Sequence, residues 1–156
     1  MIVKAEMLEE YRQELAQAAK GINEKDLEWM RNRFISETPG LSMARDASER
    51  ESLILLGLAR LAKAIRKAKP KDLRAFVDIE LRRRGYRNDI GLVENQVFRM
   101  KTPDTELLQK LENRLNEIEK RIAKEDPNYS EEIRGKLTLA RRWLKNKKTG
   151  KEVEFK

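Results

Sequence analysis

The sequence predicts an all-α fold: a bundle of about five helices, then a C-terminal antiparallel helical hairpin and a short basic tail. Three observations carry this. Apolar residues recur at three- and four-residue spacing along most of the chain. The interruptions fall on residues that end or begin helices: Gly21, Thr38-Pro39-Gly40, Pro70, Gly85, Thr102-Pro103 and Asp126-Pro127. The 156 residues include only seven glycines and four prolines, so little else breaks the pattern. The boundary expected from this reading is Thr102-Pro103, which separates a helical body, residues 1–102, from the hairpin and tail, residues 103–156.

The first helix, about residues 3–20, has Val3, Met7, Leu8, Tyr11, Leu15 and Ala18 on one face, and Gly21 stands where a C′ residue belongs. Asn23 suits the N-cap of the second helix, with Glu24 and Asp26 opposing the dipole in its first turn and Leu27, Met30, Phe34 and Ile35 facing inward. Ser48-Glu49-Arg50-Glu51 forms a capping box for the third helix, although Ser42 offers an earlier start. That helix carries Leu53, Ile54, Leu55, Leu56, Leu58, Leu61 and Ile65, is apolar almost all round, and must be central. Pro70 suits the N1 position of the fourth helix, which points Leu73, Phe76, Val77 and Leu81 inward before Arg82-Arg83-Arg84 and Gly85. Residues 89–100 read as a fifth helix, with Val93, Val97 and Met100 on one side; the β-branched and aromatic residues there also permit a strand.

Thr102 as N-cap and Pro103 at N1 open the hairpin. Leu108, Leu111, Leu115, Ile118 and Ile122 repeat at 3, 4, 3 and 4 residues on a helix roughly 35 Å long. Ser130 suits the cap of the last helix, which carries Ile133, Leu137, Ala140 and Leu144. From Asn146 onward the chain reads as a polar tail, with a turn at Lys148-Thr149-Gly150-Lys151 and an alternation at Val153 and Phe155 that allows a short strand.

Composition excludes whole classes of chemistry. The chain has no cysteine and no histidine, which removes disulfide scaffolds, thiol nucleophiles, Cys/His zinc sites and every His-based triad. No glycine-rich phosphate loop occurs. Glu9, Glu10 and Glu14 have spacings loosely like those of all-α nucleotide pyrophosphohydrolases, but the second acidic helix that a magnesium cluster needs is not apparent. A non-enzyme without cofactor or metal is therefore expected. The first residues do not read as a targeting segment, and the longest apolar run, residues 53–59, is far short of the roughly 20 residues that span a bilayer. The expected compartment is the cytoplasm, without membrane association. Abundant Lys, Arg and Glu with no Cys is also the usage of thermophile proteins. In style the chain resembles small, basic, Cys-free helical proteins of hyperthermophile viruses and plasmids, and nucleoid or replication accessory factors.

Charge is the most informative feature. The 35 Lys and Arg outnumber 27 Asp and Glu, a net charge of +8. Two windows concentrate the excess: residues 60–87 hold 11 basic and 3 acidic residues, and residues 134–151 hold 8 basic and none acidic. Solvated helix faces and dipole-matched C-termini explain some of this, but they predict mixed signs. Like-signed windows suit phosphate contacts, which give affinity without sequence information. The candidates in the first window are Lys63, Arg66, Lys67, Lys69, Lys71, Arg82, Arg83, Arg84 and Arg87, with Tyr86 as a ring on which a base could stack. In the second they are Arg141, Arg142, Lys145, Lys147, Lys148 and Lys151, with Trp143 among them.

A helix-turn-helix across residues 71–100, with its turn at Gly85 and Asn95, Gln96 and Arg99 as base readers, is a further reading. The expected partner is nucleic acid, DNA ahead of RNA. The alternatives are an acidic protein partner and self-association into a homodimer along a second apolar edge of the hairpin, as in an assembly module.

Overall fold

The computed structural model describes residues 7–150, and these are helical throughout their regular structure, with six α-helices, a short 3-10 turn and no strand. The helices are α1 (Leu8–Ala18), α2 (Glu24–Ser36), α3 (Ala47–Ala68), α4 (Leu73–Arg99), α5 (Thr105–Glu125) and α6 (Tyr129–Thr149); the 3-10 turn, Pro39–Met43, lies between α2 and α3. Val3, Lys151 and the alternation at Val153 and Phe155 lie outside the described residues. The chain divides into two compact units, Met1–Arg82 and Arg83–Lys156, the division falling inside α4. Thr102-Pro103 lies within the second unit, in the connection between α4 and α5.

In the first unit, Met30, Phe34, Leu41, Ile54, Leu58, Leu61, Ile65, Val77 and Leu81 form the main core, and Ala18, Ala19 and Ala62 form a small adjoining cluster. These are the apolar stripes of α2, α3 and the first part of α4, and α3 is central as its all-round apolarity demands. Gly57 is required here: a Cβ at this position would stand 2.1 Å from the Phe34 ring, so the ring packs directly on the α3 backbone. Around the core, Arg31 grips Glu51 with two hydrogen bonds of 2.8 and 2.6 Å, Arg33 reaches Asp78 at 2.7 Å, and Arg74 reaches Asp26 at 3.1 Å while lying over the Trp29 ring.

The second unit is built from the later part of α4, α5 and α6 around one core. Tyr86, Ile90, Val93 and Val97 face Leu108, Leu111, Leu115, Ile118 and Ile122 of α5 and Ile133, Leu137, Ala140, Trp143 and Leu144 of α6. Arg141 meets Asn116 and Glu119, and Lys148 meets Glu112. Partners therefore descend α5 as residues ascend α6, so the two helices run antiparallel.

Several helix ends differ from the sequence reading. α4 is one helix where two separated by a turn were expected. The buried positions Val77, Leu81, Tyr86, Ile90, Val93 and Val97 keep a helical period through Gly85, which costs only about 1 kcal/mol in a helix interior. The helix-turn-helix reading is thereby overturned, since its turn is the middle of α4. The strand permitted for residues 89–100 is likewise absent. α3 is capped by Asp46, whose side chain accepts from the Glu49 amide, in place of Ser48. Asp72 accepts from the Ala75 amide at the start of α4, displacing Pro70 from N1, and Asp104 caps α5 in place of Thr102. Ser130 lies inside α6, its hydroxyl donating to the Pro127 carbonyl. α6 continues to Thr149, so Lys147 and Lys148 are helical rather than part of a tail, and Gly150 ends it in the left-handed region. Asn23 caps α2 as the sequence indicates, accepting from the Asp26 amide at 2.8 Å.

Candidate nucleic-acid interface

The cations of the two sequence windows fall into three groups once their surroundings are known. The first group holds the fold together. Arg83 lays a bidentate pair on Asp126, at 2.7 and 3.2 Å, and its guanidinium stands 4.7 Å from the Tyr129 ring centre. Asp126 is only 6% exposed, so its charge depends on that partner. Arg87 donates to the Tyr129 hydroxyl at 2.8 Å. Tyr86 is 1% exposed; its hydroxyl donates to Glu125 at 2.6 Å and its ring stacks on Tyr129. Tyr86 is thus a core residue, and its ring is not open to a base. Trp143 is likewise buried in the core of the second unit.

In the first unit, Arg66 donates to the carbonyls of Gln17 and Ala18 and satisfies the end of α1, and Lys63 pairs with Glu14 at 2.7 Å. These contacts border a cleft of about 480 Å³ between α1 and α3, lined also by Glu10 and Gln13. Of the acids weighed as a magnesium site, Glu9 pairs with Arg12 and Glu14 with Lys63. Among the described residues no three His, Cys, Asp or Glu side chains come together as a metal would need.

The second group is exposed or half-buried but partnered. Arg141 donates to Glu119 at 2.7 Å and to Asn116 at 3.1 Å, Lys148 to Glu112 at 2.6 Å, and Lys147 to the Met100 carbonyl at 2.8 Å. Arg82 and Arg84 also have partners; Arg82 is exposed and Arg84 half-buried.

The third group is exposed and has no ion-pair partner among the described residues: Arg60 on α3, Lys67, Lys69 and Lys71 where α3 passes to α4, and Arg142 and Lys145 on α6. Lys69 sits in the left-handed region (φ 48°) as the C-cap of α3, so α3 ends within the lysine cluster. On α6, Arg142 and Lys145 follow Thr138 on the outward side, and no acid of α6 lies beyond Glu132. Lys151 lies outside the described residues.

Sequence reasoning missed the α5 residues that face α6, two acids and an asparagine. Glu112, Asn116 and Glu119 follow one another at four and three residues, the same spacing as Arg141, Lys145 and Lys148. That matched ladder was the available signal. A cleft of about 280 Å³ opens along it, lined by Glu112, Arg141, Leu144, Lys145 and Lys148.

The only strongly apolar exposure in the second unit among the described residues is on α4, where Leu92 is 53% and Phe98 65% exposed. The residues exposed between them, Asn95 and Gln96, are uncharged, and the nearby acids Asp89 and Glu94 pair with Arg121 and Lys136.

Comparison with known proteins adds no relative: no family model matches the chain, and neither curated proteins nor solved structures give a match. No helix among the described residues is long and apolar enough to cross a membrane.

Proposed function

We propose that this protein is a non-catalytic nucleic-acid-binding protein, with DNA favoured over RNA, acting mainly through phosphate contacts. The observation that carries the reading is the third group of cations. In a chain where many arginines are committed to carboxylates, Lys67, Lys69, Lys71, Arg142 and Lys145 are exposed with no ion-pair partner among the described residues. Such groups can neutralise backbone phosphates and release the counterions condensed on the nucleic acid. The second unit with its α5–α6 hairpin carries most of the excess, 19 basic against 13 acidic residues. The reading includes a cytoplasmic address and a composition suited to a thermophile or its mobile elements.

The experiment is binding of a labelled random-sequence duplex, and separately a single strand, by fluorescence anisotropy at about 50 mM salt. Wild-type protein should bind, and reversing Arg142 and Lys145 to Glu should weaken binding at least tenfold while the melting temperature stays within a few degrees. Unchanged binding by that variant and by the Lys67, Lys69 and Lys71 reversals would overturn the reading.

A second reading, a helical assembly module, is favoured by the exposed apolar side chains Leu92 and Phe98 on α4. Sedimentation showing a dimer that Leu92→Glu dissociates would support it. A monomer at all concentrations, with no protein partner, would not.

A further inference from the structure

The α5–α6 ladder is incomplete at its centre. Arg141 and Lys148 each have a carboxylate on α5, Glu119 and Glu112. Lys145 lies between them on the same edge of α6, and in the antiparallel register the residue between Glu112 and Glu119 is Asn116. Asn116 offers no charge, and its side-chain oxygen already accepts from Arg141. Among the described residues Lys145 therefore has no ion pair of its own, in a cleft of about 280 Å³ lined by Arg141, Lys148 and the Glu112 that Lys148 already engages.

We infer that this missing rung is the seat of one phosphodiester group, gripped by Lys145 and shared with Arg141 and Lys148. The inference rests on the nucleic-acid reading and locates its principal contact. A phosphate oxygen entering the cleft supplies the negative charge that Asn116 does not. The flanking ion pairs are partly exposed, and pairs of that kind are weakly held, so Arg141 and Lys148 can turn from their carboxylates to a phosphate. Glu112 and Glu119 then act as built-in competitors. They hold the cations in position when the site is empty and oppose binding when it fills.

This arrangement can be tested without removing any cation. Asn116→Glu completes the ladder and should weaken duplex binding roughly tenfold at about 50 mM salt, with a log–log salt slope shallower by about one unit. Asn113→Glu makes the same charge change on the outward face of the same helix, where residue 113 is exposed, and should weaken binding far less. Glu112→Gln removes a competitor and should tighten binding about two- to fivefold. Circular dichroism of each variant confirms that the helices are intact. Equal effects of Asn116→Glu and Asn113→Glu, with wild-type protein binding well, overturn the phosphate seat and leave the nucleic-acid reading standing. No binding by wild type or by Glu112→Gln overturns both. Inorganic phosphate serves as the second probe; an Asn116-dependent response to it, with none to the duplex, contradicts the assignment to a phosphodiester.

Discussion

Residues 83–87 and residues 141–148 belong to the same unit and read alike in the sequence, each a run of Lys and Arg enclosing an aromatic ring. Their surroundings make them opposites. In the first run Arg83 and Tyr86 turn inward and, with the more exposed Arg87, fasten α4 to the end of α5 and the start of α6 through Asp126, Glu125 and Tyr129. In the second, Trp143 and Leu144 turn inward, while Arg142 and Lys145 stay on the surface without a carboxylate among the described residues. A cationic run therefore says little about a partner until the opposing carboxylates are placed. Arg supplies the inward run, where its planar fork meets a buried carboxylate and an aromatic face.

The largest expected effect breaks the inward run. Asp126→Ala leaves Arg83 facing a buried, emptied position and should destabilise the protein by about 3 kcal/mol, read by urea denaturation. Nucleic-acid affinity of the folded fraction should not change. A loss of affinity without loss of stability would move residues 83–87 back to the interface.

A smaller effect sharpens the same point. Gly85 lies inside α4 with nothing within 4 Å of a Cβ built on it, so Gly85→Ala should stabilise the protein by about 0.5–1 kcal/mol. Destabilisation by alanine in the same denaturation experiment would mean that residue 85 is a turn after all.

The smallest effect comes from the first unit and provides a contrast in pH. The hydrogen bonds from Arg31 hold the Glu51 carboxyl below its ordinary value of 4.5, against the opposing effect of partial burial. A depressed folded-state pKa stabilises the protein above the unfolded value, and this contribution is lost as pH falls through the folded value. Glu51→Gln should therefore lower stability at neutral pH and flatten the acid limb of a thermal-melt series below about pH 4.5.

The sequence made the cores legible and the charges misleading, for a physical reason. Leu108, Leu111, Leu115, Ile118 and Ile122 are all buried, because a repeat of 3 and 4 residues is a local property of one helix. The Gly85 turn failed because one glycine is a weak local signal against an apolar period that continues on both sides of it. The helix starts failed by two or three residues at Ser48, Pro70 and Thr102, in each case because an Asp nearby caps instead. The candidate site was half legible. The windows contain the exposed cations, but the partners that withdraw the others lie far off in sequence: Asp126 is 43 residues from Arg83, and Glu119 is 22 from Arg141. Composition counts charges without showing which of them face each other.

The most direct test of the central claim is the salt dependence of wild-type binding to a random-sequence duplex, from about 50 to 200 mM. Phosphate contact predicts a linear log–log plot with a slope of several units, near −0.9 for each phosphate engaged. A slope near zero, or no binding at the lowest salt, would contradict it.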